Sequence, residues 1–208
     1  MSFRILREAQ HASKMIVSAL AVASVVSLPS SVFARVAPPK LAMVVEMKNK
    51  KTATIEIELY QKDAPKTVEH ILDLVNKKFY DGILFHRYQA GFVVQAGDPK
   101  SRNMDMKNAV IENTRNGVVI SGLGEGGSGT TVPLEAKAKH DRGTLGMARS
   151  SAPDSGDSQF FFNLKDNTPL DSGYCSFGKI TKGLDVMDKL RAGDRIKTVR
   201  VITPKKKK

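Results

Sequence analysis

The chain has one cysteine, no tryptophan and four tyrosines among 208 residues. A lone Cys175 excludes an internal disulfide, so the fold must be stable through its core without covalent staples. Cys175 lies beside a predicted strand and reads as a small buried hydrophobe, since no neighbouring histidine or helix start would activate its thiol. No internal repeat is visible, which excludes solenoid and propeller arrays. His70, His86 and His140 share no helical i, i+3 or i+4 spacing and lack a supporting Cys or acidic pattern, so neither a metal nor any other cofactor is expected. Gly122-Leu-Gly-Glu-Gly-Gly127 formally fits a dinucleotide fingerprint, but Ser-Gly-Thr-Thr-Val-Pro follows where a helix is required. The serines at 150, 151, 155 and 158 lack a placed base and read as loop residues.

What is present suits one globular domain: 41% hydrophobic and 26% charged residues, with a formal charge of +12. Residues 1–34 read as a secretory signal peptide. Arg4, Arg7 and Lys14 form a positive start, Met15–Leu28 is uncharged, and Val32-Phe33-Ala34 supplies a small-residue cleavage site. The uncharged run is shorter than the ~20 residues that span a bilayer, so stable membrane insertion is not expected; an uncleaved anchor is the alternative. Cleavage near Ala34–Arg35 would leave 30 basic and 20 acidic residues, a charge of +10, on an exported protein, periplasmic or secreted. Residues 35–40 are a linker and 204–208 a basic tail. The tail reads as a solvated end; no stacking aromatics accompany its lysines, so no nucleic acid is expected.

Hydrophobic periodicity marks strands at Leu41–Met47 and Thr52–Tyr60. In the second, Ile55, Ile57 and Leu59 alternate with Thr54, Glu56 and Glu58. Asp63 is placed to cap a helix with Pro65 in its first turn, and Val68, Ile71, Leu72, Val75 and Phe79 give it one apolar stripe. Thr144–Ala148, Gln159–Asn163, Ser176–Ile180 and Ile196–Ile202 read as strands, and Gly183–Leu190 as a second short helix. Residues 100–121 are the least readable stretch, with one apolar piece at Val118–Ile120. Gly122–Gly129 reads as a mobile loop. Many short strands and two distant helices suggest an antiparallel β-barrel.

The most informative segment is Phe85-His-Arg-Tyr-Gln-Ala-Gly-Phe-Val-Val-Gln-Ala-Gly-Asp98. Arg87 and Gln95 lie eight residues apart in otherwise buried strand sequence, with Gln89-Ala-Gly91 between them predicting two short strands and a bend. A permanent cation beside Phe92, with an amide close by, suits a site that recognises a polarised carbonyl in an apolar setting. The bland alternative is a strand arginine in a salt bridge, with Phe92 and Phe161 as core aromatics.

This segment resembles the arginine-containing signature of the cyclophilin family of peptidyl-prolyl isomerases. Asp63-Ala-Pro-Lys-Thr-Val-Glu-His, Phe79-Tyr-Asp-Gly, Gly143-Thr-Leu-Gly-Met-Ala-Arg, Asp157-Ser-Gln-Phe-Phe-Phe and Ser176-Phe-Gly-Lys-Ile resemble further family segments in the usual order. The resemblance covers roughly 41–203, with an insertion at about 100–121. It implies a mainly β fold: a closed eight-stranded antiparallel β-barrel capped by two α-helices, with the active groove on its outer wall. It implies catalysis by Arg87, Phe92 and Gln95. Phe92, Val93, Phe161 and Leu170 would hold the proline ring, the backbones of Ala148 and Arg149 would pair with an extended peptide, and Gln159, Gly124 and Tyr174 would line the groove. Phe160 and Phe162 should face the opposite way and serve the core.

Proline-containing polypeptides are then the implied partners of a monomer. Three positions depart from the family pattern: Val93 replaces a frequent methionine, Tyr174 an occasional histidine, and Pro169 the usual rim aromatic, commonly tryptophan. Because that indole normally packs on cyclosporin, weak cyclosporin binding is expected. Two rival readings use the same residues: a peptide-binding or chaperone module with little turnover, and a basic surface-binding protein using its tail and insertion.

Overall fold

The computed structural model describes residues 37–202; the signal-peptide and tail readings lie outside them. Ten strands and two α-helices follow one another as β1 (Lys40–Glu46), β2 (Thr52–Leu59), α1 (Pro65–Asn76), β3 (Phe85–Gln89), β4 (Val93–Ala96), β5 (Ile111–Thr114), β6 (Gly117–Ile120), β7 (Thr144–Met147), β8 (Phe160–Asn163), β9 (Ser176–Lys182), α2 (Leu184–Met187) and β10 (Arg195–Ile202). They form one antiparallel sheet in the order β10-β1-β2-β9-β7-β8-β4-β3-β6-β5. The count is ten rather than eight: the stretch 100–121 contains the hairpin β5–β6, which adds to the outer edge of β3.

That edge of β3 is shared. Arg87 and Tyr88 pair with Val119 and Val118 of β6. Just before them, Leu84 bridges Arg195 at the start of β10. The Phe85 amide donates to the Asp194 carbonyl at 2.8 Å and the Ile196 amide to the Ile83 carbonyl at 2.8 Å.

Alternation predicts the core directly. Ile55, Ile57 and Leu59 of β2 are buried while Glu56 and Glu58 are not, and Leu41, Met43 and Val45 do the same in β1. Phe160 and Phe162 join this core with Phe85 and Phe177; Phe161, between them, does not. Truncating such a buried phenylalanine costs about 3–5 kcal/mol. A second, smaller cluster of Leu84, Ile120 and Ala192, flanked by Met104, Met106 and Val118, seats the insertion against the outside of β3.

Three local expectations need correction. The residue capping α1 is Ala64, which offers no side-chain bond; Asp63 does not cap. Glu135 takes the role from another loop, accepting from the amides of Lys66 (3.2 Å) and Thr67 (2.9 Å) and from the Thr67 hydroxyl (2.8 Å). A carboxylate at a helix start is favourable whichever segment delivers it. Within α1, Leu74 is buried where Leu72 was expected; Leu72 and Phe79 pack at the margin. The second helix is a single turn, after which Leu190 is still buried.

Candidate active site

The bend at Gln89–Gly91 makes β3 and β4 a hairpin in which Arg87 and Gln95 stand directly across from each other. Cross-strand neighbours on one face are close enough to bond, and Arg87 Nη1 donates to Gln95 Oε1 at 3.2 Å. Arg87 Nη2 donates to Gln89 Oε1 at 2.7 Å, and Nε to the Asn116 carbonyl at 3.1 Å. The guanidinium carbon lies 5.9 Å from the centre of the Phe92 ring, within cation–π range. Arg87 is half-buried, and burial pulls its pKa below the usual arginine value, although a guanidinium keeps its charge in proteins. It joins no ion pair among the described residues. The salt-bridge alternative therefore fails: all three acceptors are neutral oxygens.

From Gln95 the polar chain runs on. Gln95 Nε2 donates to Gln159 Oε1 at 2.9 Å, and Gln159 Nε2 to the Gly126 carbonyl at 2.8 Å. A recess of about 350 Å³ opens beside these residues, bordered by Gly124, Ala148, Arg149 and Asp157. Another recess, about 580 Å³, lies between Lys48 and residues 103–111; it contains none of the expected site residues.

The apolar side of the site comes from β4, β8 and the turn after β8. Val93 and Phe161 are buried yet belong to neither core cluster; Phe161 pairs with Gln95 and Val93 lies two residues before Gln95, so both share the face of the sheet that carries Gln95. A Cβ on Gly146, across from Phe161 in β7, would collide with the Phe161 ring; only glycine lets that ring lie there. Tyr174 meets Phe161 edge-on at 6.0 Å, and the Arg149 guanidinium covers the Tyr174 ring at 4.7 Å. Leu170 sits in the short 3-10 turn Thr168–Leu170, partly exposed, beside exposed Pro169. The Ala148 amide already donates to the Gln159 carbonyl at 2.9 Å. Of that residue's backbone, the carbonyl is what a peptide could pair with.

Sequence reasoning missed the groups that hold these residues in place. Buried Asp98 accepts from the amides of Lys100 (2.9 Å), Gly124 (2.6 Å) and Gly126 (3.1 Å). Burial alone would raise its pKa; the amide donors outweigh that and hold it below the usual carboxylate value. Asp157 likewise binds the amides of Ser128 and Gly129 at 2.9 and 3.0 Å. The glycine loop is thus tied at both ends rather than mobile as expected. Asn167 donates to the Phe92 carbonyl at 3.1 Å and to Asn163 Oδ1 at 2.7 Å. His140 stacks on Phe161 at 5.9 Å and bonds Asp171 at 3.2 Å. His86, behind the glycine loop, is buried, and among the described residues neither ring nitrogen meets a partner in hydrogen-bond geometry; burial pulls its pKa down to about 4. Among the described residues no cluster of metal-ligating side chains occurs.

Comparison with known proteins finds relatives over most of the chain. A probable peptidyl-prolyl cis-trans isomerase of Brucella suis is 36% identical over 193 residues, 91% of this chain and 92% of the relative. Peptidyl-prolyl cis-trans isomerase B of Bacillus subtilis is 37% identical over 150 residues, 71% of this chain and 90% of that one. The crystal structure of a Cryptosporidium parvum cyclophilin type peptidyl-prolyl cis-trans isomerase superposes with a TM-score of 0.61 at 22% identity, over 80% of this chain and 98% of that one; at this identity it speaks for the fold. Residues 43–206 match the family described as cyclophilin type peptidyl-prolyl cis-trans isomerase/CLD. The chain belongs to the cyclophilin-type peptidyl-prolyl cis-trans isomerases.

Proposed function

We propose that this isomerase accelerates X–Pro rotation in exported proteins by gripping the twisted imide with Arg87. The barrier to rotation is amide resonance, about 18–20 kcal/mol, and uncatalysed exchange takes tens to hundreds of seconds. No covalent step is needed. The site must bind the half-rotated bond more tightly than either planar form. On twisting, the nitrogen lone pair stops delocalising into the carbonyl and becomes a hydrogen-bond acceptor. A guanidinium donating to it there gains little from the flat amide.

One observation carries this reading: three of the five N–H groups of Arg87 are held by neutral oxygens, with no carboxylate to neutralise the charge. The remaining donors are available to a substrate nitrogen. Phe92, Val93, Phe161 and Leu170 hold the proline ring and keep water from the reacting bond. Gln95 orients the arginine, and Gln159, Gly124, Ala148, Arg149 and Tyr174 align the flanking chain. A cyclophilin of Cryptosporidium parvum with 23% identity was crystallised in the presence of the dipeptide Ala-Pro, a ligand of the chemistry proposed here.

The remaining readings belong with this one. The strands β10, β1, β2, β9, β7, β8, β4 and β3 form a closed eight-stranded barrel, supported by the Leu84–Arg195 bridge, with β5–β6 outside the closure. The enzyme is exported as a monomer and binds cyclosporin weakly, Pro169 offering no indole at the rim. The test is exchange spectroscopy on a short X–Pro peptide with wild type and Arg87→Ala. A loss of about two to three decades in kcat/KM is expected, as for removal of one charge-assisted donor from a dry site. Equal rates would remove Arg87 from the mechanism and favour the peptide-binding rival.

A further inference from the structure

The insertion that interrupts the sequence pattern reaches the reacting face. From the folded hairpin we infer that β5–β6 is a positioning element for Arg87, acting through the Asn116 carbonyl and made possible by Gly117. This rests on the role proposed for Arg87.

A guanidinium held only by its two terminal nitrogens can still pivot, because both acceptors, Gln95 and Gln89, are side chains. The third bond differs. Arg87 Nε donates at 3.1 Å to a backbone carbonyl in the turn of the hairpin. Fixing Nε fixes the plane of the fork, and with it the direction of the N–H groups left for substrate.

The turn is itself held rigidly. Thr114 Oγ1 accepts from the Asn116 amide at 3.1 Å and donates to the Gly117 carbonyl at 3.0 Å. Gly117 has φ +100°, and a Cβ there would collide with the Tyr88 carbonyl and lie 2.9 Å from Gln89 Cα. The strand can therefore lie against β3 only with glycine at this position. Two residues on, Val119 pairs with Arg87 itself. Ile120 then anchors the strand, buried with Leu84 and Ala192. Backbone pairing, turn and anchor all converge on one carbonyl oxygen beside the cation.

The test is Gly117→Val in the full-length protein, alone and combined with Arg87→Ala. The single variant should lower kcat roughly tenfold, with KM changed by less than about twofold, since the bond serves the twisted state. In the Arg87→Ala background the same change should add nothing. A structural role elsewhere would lower both backgrounds alike, which would overturn the inference. A direct readout is independent of turnover. In 15N-labelled wild type, the Hε signal of Arg87, assigned by its loss in Arg87→Ala, should exchange slowly with water, and it should lose that protection in folded Gly117→Val. Fast exchange in wild type overturns the inference even if Gly117→Val does not fold. Retained activity in Arg87→Ala would instead sink the functional reading, while the Hε signal would still report the bond.

Discussion

Two arginines, one in β10 and one in β3, meet very different surroundings. Arg200, in β10, closes on Asp81 with two bonds of 2.8 and 2.7 Å, and its side chain stays largely in water. Arg87, in β3, is half-buried and hydrogen-bonds only to amide and carbonyl oxygens. Water screens the first pair, so it contributes little beyond surface solubility. The second charge is partly desolvated and left without an opposite charge. Such a group costs stability where it stands and has field to spare for a ligand. The charge proposed to act on substrate is the one whose electrostatic pairing has been left incomplete.

The contrast can be broken in graded steps. Arg87→Ala, with its two or three decades in turnover, stands at the top. Next comes acid. His86 shares the groove's dry setting, and its folded pKa of about 4 lies below the ordinary histidine value of 6.5. The unfolded chain therefore takes up a proton that the native state refuses. Its contribution is fully present above pH 6.5 and is lost as pH falls toward 4, by up to about 3 kcal/mol. Calorimetric unfolding at pH 7.5 and 4.5 should show the loss, and NMR titration of the imidazole should find the low midpoint; a midpoint near 6.5 would contradict it. Gln95→Glu then converts the Arg87 surroundings into those of Arg200. A carboxylate beside the fork should cost about tenfold in kcat/KM, equivalent to about 1.4 kcal/mol, measured by peptide exchange. Smallest is Arg200→Ala: turnover within about twofold of wild type, and denaturation stability changed by no more than about 1 kcal/mol.

The sequence made some of this plain and hid the rest for physical reasons. Alternation in β2 and the Phe160-Phe-Phe162 triplet predicted which side chains enter the core, because a strand's period of two is imposed by its backbone. Arg87, Phe92 and Gln95 were legible because one short hairpin brings them together. Leu74 belongs to the buried stripe because it follows Ile71 by three residues and flanks Val75 on the same face, whereas Leu72 falls at the stripe's edge. Asp98 and Asn167 carried no local signal; their partners, Gly124 and Phe92, lie 26 and 75 residues away. The hairpin β5–β6 was missed for another reason. Ile111–Thr114 is exposed along its whole length, so no hydrophobic pattern marks it, and its register comes from the turn and from β3.

The bond from Glu135 to the start of α1 has a kinetic corollary. Its acceptor oxygens meet amides that converge only when the first helical turn exists, and the helix in turn has no local side chain to seal that end. The loop at 131–140, which borders the groove, and the leading turn of the helix must therefore open together as one cooperative unit. A hydrogen-exchange map of that helix end would thus register events at the proposed peptide-binding face, through a single carboxylate contributed from almost seventy residues downstream.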